Sequence, residues 1–334
     1  MVYLLQSEMT MKKRFPCLPL AITFSLIFFH STFAQDYASV DSIVRNYPDS
    51  FSSTEKLAEK INSDFDTESD RARAIYTWIA TNIRYDLPAA HSGNGIAFYY
   101  KDEADRIEKE KKFRVDLAKK TLKQGKGICQ NYAALFHHLC DLTALKCIDI
   151  PGSAKTNLMQ IGKLPQPSDH IWNAVKIGNS WNLVDVTWGA GSVDTNSGKF
   201  VPSFSDGYFC PTPEVFFLNH FPEDARMSML QRTPEDFANL PLYYGSYVDS
   251  DYEILYPENG VLSATQKSIP FRISDLDEGD NVSYVFSNQN QLQEPELKRN
   301  GNLSEFVIPI AATDRGFLTL FVNNRSVAAY KIGR

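Results

Sequence analysis

The chain has no apolar run of about twenty residues, the length a membrane helix needs. Its longest such run, Leu18 to Phe29, is about a dozen residues, so no membrane-spanning helix is expected. It has no basic stripe either: the formal net charge is −6, which excludes an extended nucleic-acid surface. Cysteine is scarce, five in 334 residues, with no CxxC pair and no tight Cys/His cluster. A structural zinc site therefore lacks its ligands, and no metal and no cofactor is expected. The acidic stretch around Asp249 and Asp251 has no ligand set for calcium and reads as a linker. No internal repeat or low-complexity segment interrupts the chain.

Hydrophobic residues make up 43% and charged residues 22%, the balance of an ordinary globular protein. Large rings are plentiful, with 22 Phe and 16 Tyr, and should carry much of the core. The length suffices for two domains. The first 34 residues read as a secretory signal: Lys12, Lys13 and Arg14, the apolar run, then small residues at Thr32 and Ala34, with cleavage before Gln35. Export to the periplasm, cell surface or exterior follows as an expectation. Without that segment the net charge is about −8, and Cys129, Cys140, Cys147 and Cys210 remain. Four cysteines in an exported chain raise a disulfide reading. A chain of this length does not need such staples, and the disulfide state stays open.

Residues 36–66 look partly helical, with Leu57 and Ile61 four apart. Thr67 and Asp70 fit a capping box, and Ala72, Ile75, Ile79 and Ile83 follow at helical spacing with Trp78 on the flank. That amphipathic helix should end near Tyr85 and Asp86. Residues 87–100 read as a loop and 101–123 as a charged, solvated helix. Cys129 to Asp141 is again helical, with Tyr132, Phe136, Leu139 and Cys140 roughly on one face. The segment "ALKCIDIPGSA" reads as a strand ending at Pro151-Gly152. "HIWNAVKIGNSWNLVDVTWGAG" reads as two strands joined by a tight turn at Gly178-Asn179. Residues 192–240 look like loops with short helices. From Asp251 to Arg334 short β-rich runs alternate with turn residues, the pattern of a small all-β immunoglobulin-like sandwich. The expected division is 1–34 signal, 36–245 main domain, 251–334 accessory domain.

Cys129 stands in the first turn of its helix, just after Gly125 and Gly127. Unpaired N–H groups and the helix dipole favour a thiolate there. Cys140, well inside the helix, reads as a packing residue. A nucleophile needs a base, and the base an orienting group. His30 leaves with the signal, while His91, His137, His138 and His220 read as surface or packing residues. His170 opens a strand and Asp185 lies in the next. A two-residue turn would pair Ile177 with Ser180, hence Trp172 with Asp185, making His170 and Asp185 diagonal neighbours on one face. Cys129 would then be the nucleophile, His170 the base, and Asp185 the group that holds the imidazole. Trp172, Trp181 and Trp188 read as core aromatics or as walls of a substrate cleft, and Tyr85 and Asp86 are further candidates to face it.

"GKGICQNYAALFHHLC", "DHIWNAVKIGNSWNLVDVTWGAG" and "ARAIYTWIATNIRYD" together resemble the transglutaminase-like superfamily, in its bacterial branch similar to the kyphoscoliosis-peptidase group. In that family the Cys lies in a G-x-C helix start, the His in an H-x-W-N strand and the Asp in a D-x-T-W strand. Cys129, His170 and Asp185 fit those slots. "FFLNHFPEDARMSMLQRTPEDF" is also similar to that branch's downstream segment, with Met-Ser-Met-Leu in place of Trp-Gln-Leu-Leu. The resemblance implies an α+β, papain-like core with a helical N-terminal part and an antiparallel sheet, over roughly residues 50–245. It also implies thiol chemistry on amide bonds of a protein or peptide substrate, such as cell-envelope material, by hydrolysis or acyl transfer. The other class it leaves is a non-catalytic envelope adaptor that binds through the same cleft.

Overall fold

Three helices begin the fold, the second and third started by a hydroxyl cap. The computed structural model describes residues 37–91, 99–194, 197–311 and 313–333. The expected signal and the middle of the 87–100 loop lie outside these residues. Helix α1 (Ala38–Val44) leads to α2 (Thr54–Asp64), where the Ser53 hydroxyl accepts the Lys56 N–H and Leu57 and Ile61 face inward. In α3 (Glu68–Asn82) the Thr67 hydroxyl accepts from Asp70 N–H, as its spacing with Asp70 predicts.

One expectation for α3 needs correction. Ala72 to Ala80 are all buried, so the helix is enclosed on every side rather than amphipathic. The sequence hides this because Arg73 reads as a surface residue. Arg73 is only 2% exposed, and its Nε and Nη2 donate to both oxygens of Asp41 on α1, at 2.8 and 2.6 Å. Thr77 adds a third bond to Asp41 and Asp206 a further carboxylate to Arg73. A buried charge is tolerated when it is paired in this way.

After α3 come β1 (Arg84–Tyr85), a short helix α4 (Leu87–His91) where a loop was expected, and the long α5 (Glu103–Gln124). Helix α5 is largely exposed and laced by i,i+3 and i,i+4 pairs such as Arg106–Glu103 and Arg106–Glu110, which is the solvated helix the charges predict. Gly125 ends it in the left-handed conformation, at φ +63°. β2 (Lys126–Gly127) then pairs in parallel with β1 and leads into α6 (Cys129–Leu142). Like α3, α6 is buried from Tyr132 to Cys140. Each fully buried leucine there, Leu135 and Leu139, contributes roughly 2 kcal/mol of apolar burial.

α6 packs against an antiparallel sheet of order β5-β4-β3-β8, formed by β3 (Lys146–Ala154), β4 (His170–Ile177), β5 (Ser180–Val184) and β8 (His220–Pro222). β3 runs two residues beyond the expected stop, because Gly152 pairs with both His170 and Pro222 and continues the ladder. The hairpin turn is the predicted one: Ile177 pairs with Ser180, and Gly178 takes φ +59°. The second strand is shorter than predicted. It ends at Val184, and Val186–Gly189 is a helical turn, α7 (Val186–Gly189), capped by Asp185. Trp172 therefore does not pair with Asp185, and the β4–β5 ladder begins at Asn173 and Val184.

Between α7 and β8 lie the hairpin β6 (Gly191–Asp194) and β7 (Lys199–Pro202), and helix α8 (Pro213–Phe217). Further on, β9 (Leu242–Tyr243) and β10 (Glu253–Tyr256) open the C-terminal part. There β10, β12 (Ser268–Ser274), β15 (Leu303–Pro309) and β14 (Lys298–Asn300) form one sheet. β11 (Val261–Ser263), β17 (Arg325–Gly333), β16 (Gly316–Val322) and β13 (Val282–Phe286) form another. In β12 the residues Ile269, Phe271 and Ile273 alternate with exposed ones, giving a single inward face. Phe271 stacks on Phe306 at 5.1 Å and meets Tyr330 of the other sheet edge-on at 5.4 Å, so the two sheets share one core. β9, which precedes residue 245, pairs with Ala328 and Ala329 of β17.

Candidate active site

Cys129 is the first residue of α6 and is partly exposed. Its placement depends on Asn131, whose amide oxygen accepts the Ile128 N–H at 3.0 Å while its nitrogen donates to Thr121 at 2.8 Å. That side chain folds back over Gly127, where an added Cβ would meet it at 2.3 Å. Glycine at position 127 is thus required by close approach, and the helix start is pinned to α5. The first-turn N–H groups of α6 point toward the Cys129 end, with that of Asn131 taken by the Ile128 carbonyl at 2.8 Å.

His170, at the start of β4, is close enough to Cys129 for the thiol to help raise its pKa. Its Nε2 lies 2.6 Å from Asp185 Oδ2, which leaves Nδ1 as the ring nitrogen for the sulfur. The His170 side chain is 7% exposed and Asp185 1%. Burial opposes a charged ring, yet Asp185 and then Cys129 outweigh it and raise the His170 pKa to about 10. Burial likewise opposes a charged Asp185, but His170 and His220 hold its carboxyl well below the usual range. Each partner thus favours the ionised form of the other.

The Asp185 carboxylate accepts four hydrogen bonds. Oδ1 accepts the N–H groups of Thr187 and Trp188, at 2.8 and 3.1 Å, and so caps α7. Oδ2 faces His170 Nε2 and, at 2.9 Å, Nε2 of His220. Sequence reasoning missed His220. It sits on β8, is fully buried, and stacks on Phe216 at 4.1 Å. One signal was available: Asn219-His220 is a polar pair within the apolar run "FFLNHFP", and buried polar residues need partners.

The remaining candidates separate. Tyr85 lies beside the thiol: burial, then the charges of Cys129 and Asp185, push its hydroxyl up to about 12. Asp86 is instead engaged by Lys126 at 2.9 Å and by the Ala89 N–H. Trp188, partly exposed, lies 5.9 Å from His170 and 4.7 Å from His220. Trp172 is 2% exposed and packs on Phe216 and the edge of His220, so it underlies the site rather than walling an open cleft. Trp181 is at the far end of the hairpin, opposite Lys176, and is exposed. Cys140 is fully buried in the core, and all four described cysteines are free thiols. His137 bonds Asp149 at 2.8 Å and His138 meets Thr54 at 3.2 Å, both buried. Among the described residues one cluster has donor atoms close enough for a metal ion, His170, Asp185 and His220, within 4.8 Å of one another. Those atoms are already bonded to one another across Asp185.

A partly exposed thiol at a helix start, a buried imidazole and a buried carboxylate behind it form the arrangement of thiol acyl-transfer chemistry. Residues 55–186, which contain all three, match the model of the transglutaminase-like superfamily. This segment belongs to the transglutaminase-like superfamily. Its helices over an antiparallel sheet are the papain-like core of that superfamily. Human kyphoscoliosis peptidase is 29% identical over 214 residues, covering 63% of this chain and 30% of that protein. A LIM and transglutaminase domain protein of Caenorhabditis elegans is 25% identical over 331 residues, covering 89% of this chain and 42% of its own. The chain spans less than half the length of these relatives. A solved structure described as a TGase is 17% identical with a TM-score of 0.28, covering 55% of this chain and 40% of that one. No helix of the described residues is long and apolar enough to cross a membrane.

Proposed function

We propose that this protein is an exported thiol enzyme that acts on amide bonds of protein or peptide substrates through a Cys129 thioester. The observation that carries the reading is the buried His170, held by Asp185 at 2.6 Å and raised in pKa by that carboxylate and by Cys129. The Cys129 proton passes to His170, and the sulfur attacks the carbonyl carbon. The imidazolium then gives that proton to the departing amine as the C–N bond breaks, leaving the thioester. Water or a second amine attacks the thioester with His170 as base, and the thiol is regenerated. The backbone N–H of Cys129 is positioned to stabilise the oxyanion. The human relative is named a peptidase, which favours hydrolysis.

Export rests on the basic and apolar segments before Gln35. The two C-terminal sheets are read as an immunoglobulin-like accessory domain, 251–334, that presents or docks substrate beside the 36–245 core. The likeness to kyphoscoliosis peptidase supports reading the chain as a bacterial-branch relative of that group.

Iodoacetamide at pH 6 tests the reading. A free thiol with its pKa near 8.5 is under about 1% thiolate there. Cys129 should react roughly a hundredfold faster than glutathione, and His170→Ala should abolish the excess. Labelling no faster than glutathione, or recovery of Cys129 in a stable disulfide, would leave a binding role for the cleft.

A further inference from the structure

We propose that His220 is a positioning residue for the thiol–imidazole pair: from full burial it donates Nε2–H to Asp185 Oδ2 and fixes the carboxylate that orients His170. The inference rests on the enzyme reading above and extends it to a residue outside the 55–186 match.

Asp185 Oδ1 is held from one side by the α7 N–H groups, a pair that still lets the carboxylate tilt about its own axis. His220 closes the other side, 2.9 Å from Oδ2. Its ring has little freedom of its own. Phe216 stacks on it at an interplanar angle of 21°, Trp172 meets it edge-on at 5.1 Å, and Trp188 lies at 4.7 Å. Nδ1 faces the Phe216 carbonyl at 3.3 Å, a longer contact than the one to Asp185. The carboxylate is the stronger acceptor of the two, so the proton is assigned to Nε2. The titratable groups facing it are Asp185, His170 at 5.6 Å between rings, and Tyr208 at 6.2 Å. Burial among aromatic rings keeps His220 neutral, overriding the pull of Asp185. A neutral donor fixes the carboxylate without discharging it, and the negative charge stays available to His170. A second imidazolium there would compete with His170 for the same oxygen.

The test reads Cys129 alkylation by iodoacetamide against pH in the full chain. His220→Phe keeps the stacking ring and removes the donor. Its rate at pH 6 should fall about tenfold, and the acid limb of the profile should move to higher pH as the imidazolium loses its orientation. His220→Gln places an amide N–H near the lost Nε2–H and should recover most of the rate and the wild-type limb. A folded His220→Phe protein whose profile superposes on the wild type overturns the proposal, as does a Gln variant no better than Phe. Because the Phe variant risks misfolding, ¹⁵N-histidine NMR of the unmodified protein gives a second decision. A neutral, Nε2-protonated His220 at pH 7–8 supports the role, and an Nδ1–H tautomer overturns it. If wild-type Cys129 shows no excess reactivity, the enzyme reading fails, while the NMR result still decides the His220–Asp185 bond.

Discussion

At the residue scale the site is a balance between burial and pairing. Burial alone would leave His170 neutral, and the Asp185 charge reverses that. Asp185→Asn should therefore lower the His170 pKa from about 10, since burial remains and only Cys129 is left to oppose it. Alkylation of Cys129 at pH 6 should drop by on the order of a hundredfold or more, measured against the wild-type rate. The same pair sets a stability window. The folded His170 pKa is raised, so its contribution is complete below about pH 6.5 and is lost as pH rises through about 10. The Asp185 pKa is depressed, so its contribution is present above its ordinary value near 3.9 and is lost on acidification. Urea unfolding followed from pH 6 to 10 should show falling stability in the wild type and a flatter profile in Asp185→Asn. Cys129, His170 and Asp185 were legible because their types and neighbours announce chemistry. His220 was not, because one histidine between Asn219 and Phe221 carries no periodic signal.

Two short features hold the reacting residues at the scale of elements. The turn Gly125 to Ile128 joins α5 to α6, and Asn131 locks it. Gly127→Ala would force its Cβ into the Asn131 side chain, displacing the start of α6. The expected outcome is roughly a tenfold or greater loss of Cys129 reactivity, as misplaced reacting groups lose rate steeply, with the far-ultraviolet spectrum retained. Arg73 is the corresponding fastener for α1 and α3. Arg73→Ala leaves Asp41 buried without its cation, and should cost about 3–5 kcal/mol in denaturant unfolding. Helix starts, the hairpin turn and the solvated α5 were readable because caps, tight turns and charge density are local. The enclosure of α3 and α6 was not: which faces are covered depends on neighbours distant in sequence. Asp185 shows the same limit, since "DVTWG" alternates like a strand until its carboxylate caps a helical turn.

For the molecule as a whole, the core and the C-terminal sheets are stitched by Leu242–Tyr243, which pairs with Ala328 and Ala329. Ile161 of the core packs with Leu242 and Ala329. Asn219, next to His220, donates to the Tyr243 carbonyl at 3.2 Å, so the site strand adjoins this seam. Calorimetry of the full chain should give one cooperative transition, and two resolved transitions would contradict the coupling. A chain ending at residue 250 should melt at least several degrees lower and label more slowly at Cys129.

The sequence by itself determined the α+β order of elements, the helix that begins at Cys129, the hairpin with its two-residue turn, and the three candidate residues of the proposed thiol site. Each is encoded by local spacing or by a side chain whose chemistry is distinctive. Only the tertiary structure decided that Asp185 serves two histidines and a helix start at once. It alone enclosed Arg73, and it alone carried the chain across the seam at Leu242–Tyr243. These depend on contacts between residues tens of positions apart, where burial and hydrogen-bond satisfaction, rather than local pattern, select the partner.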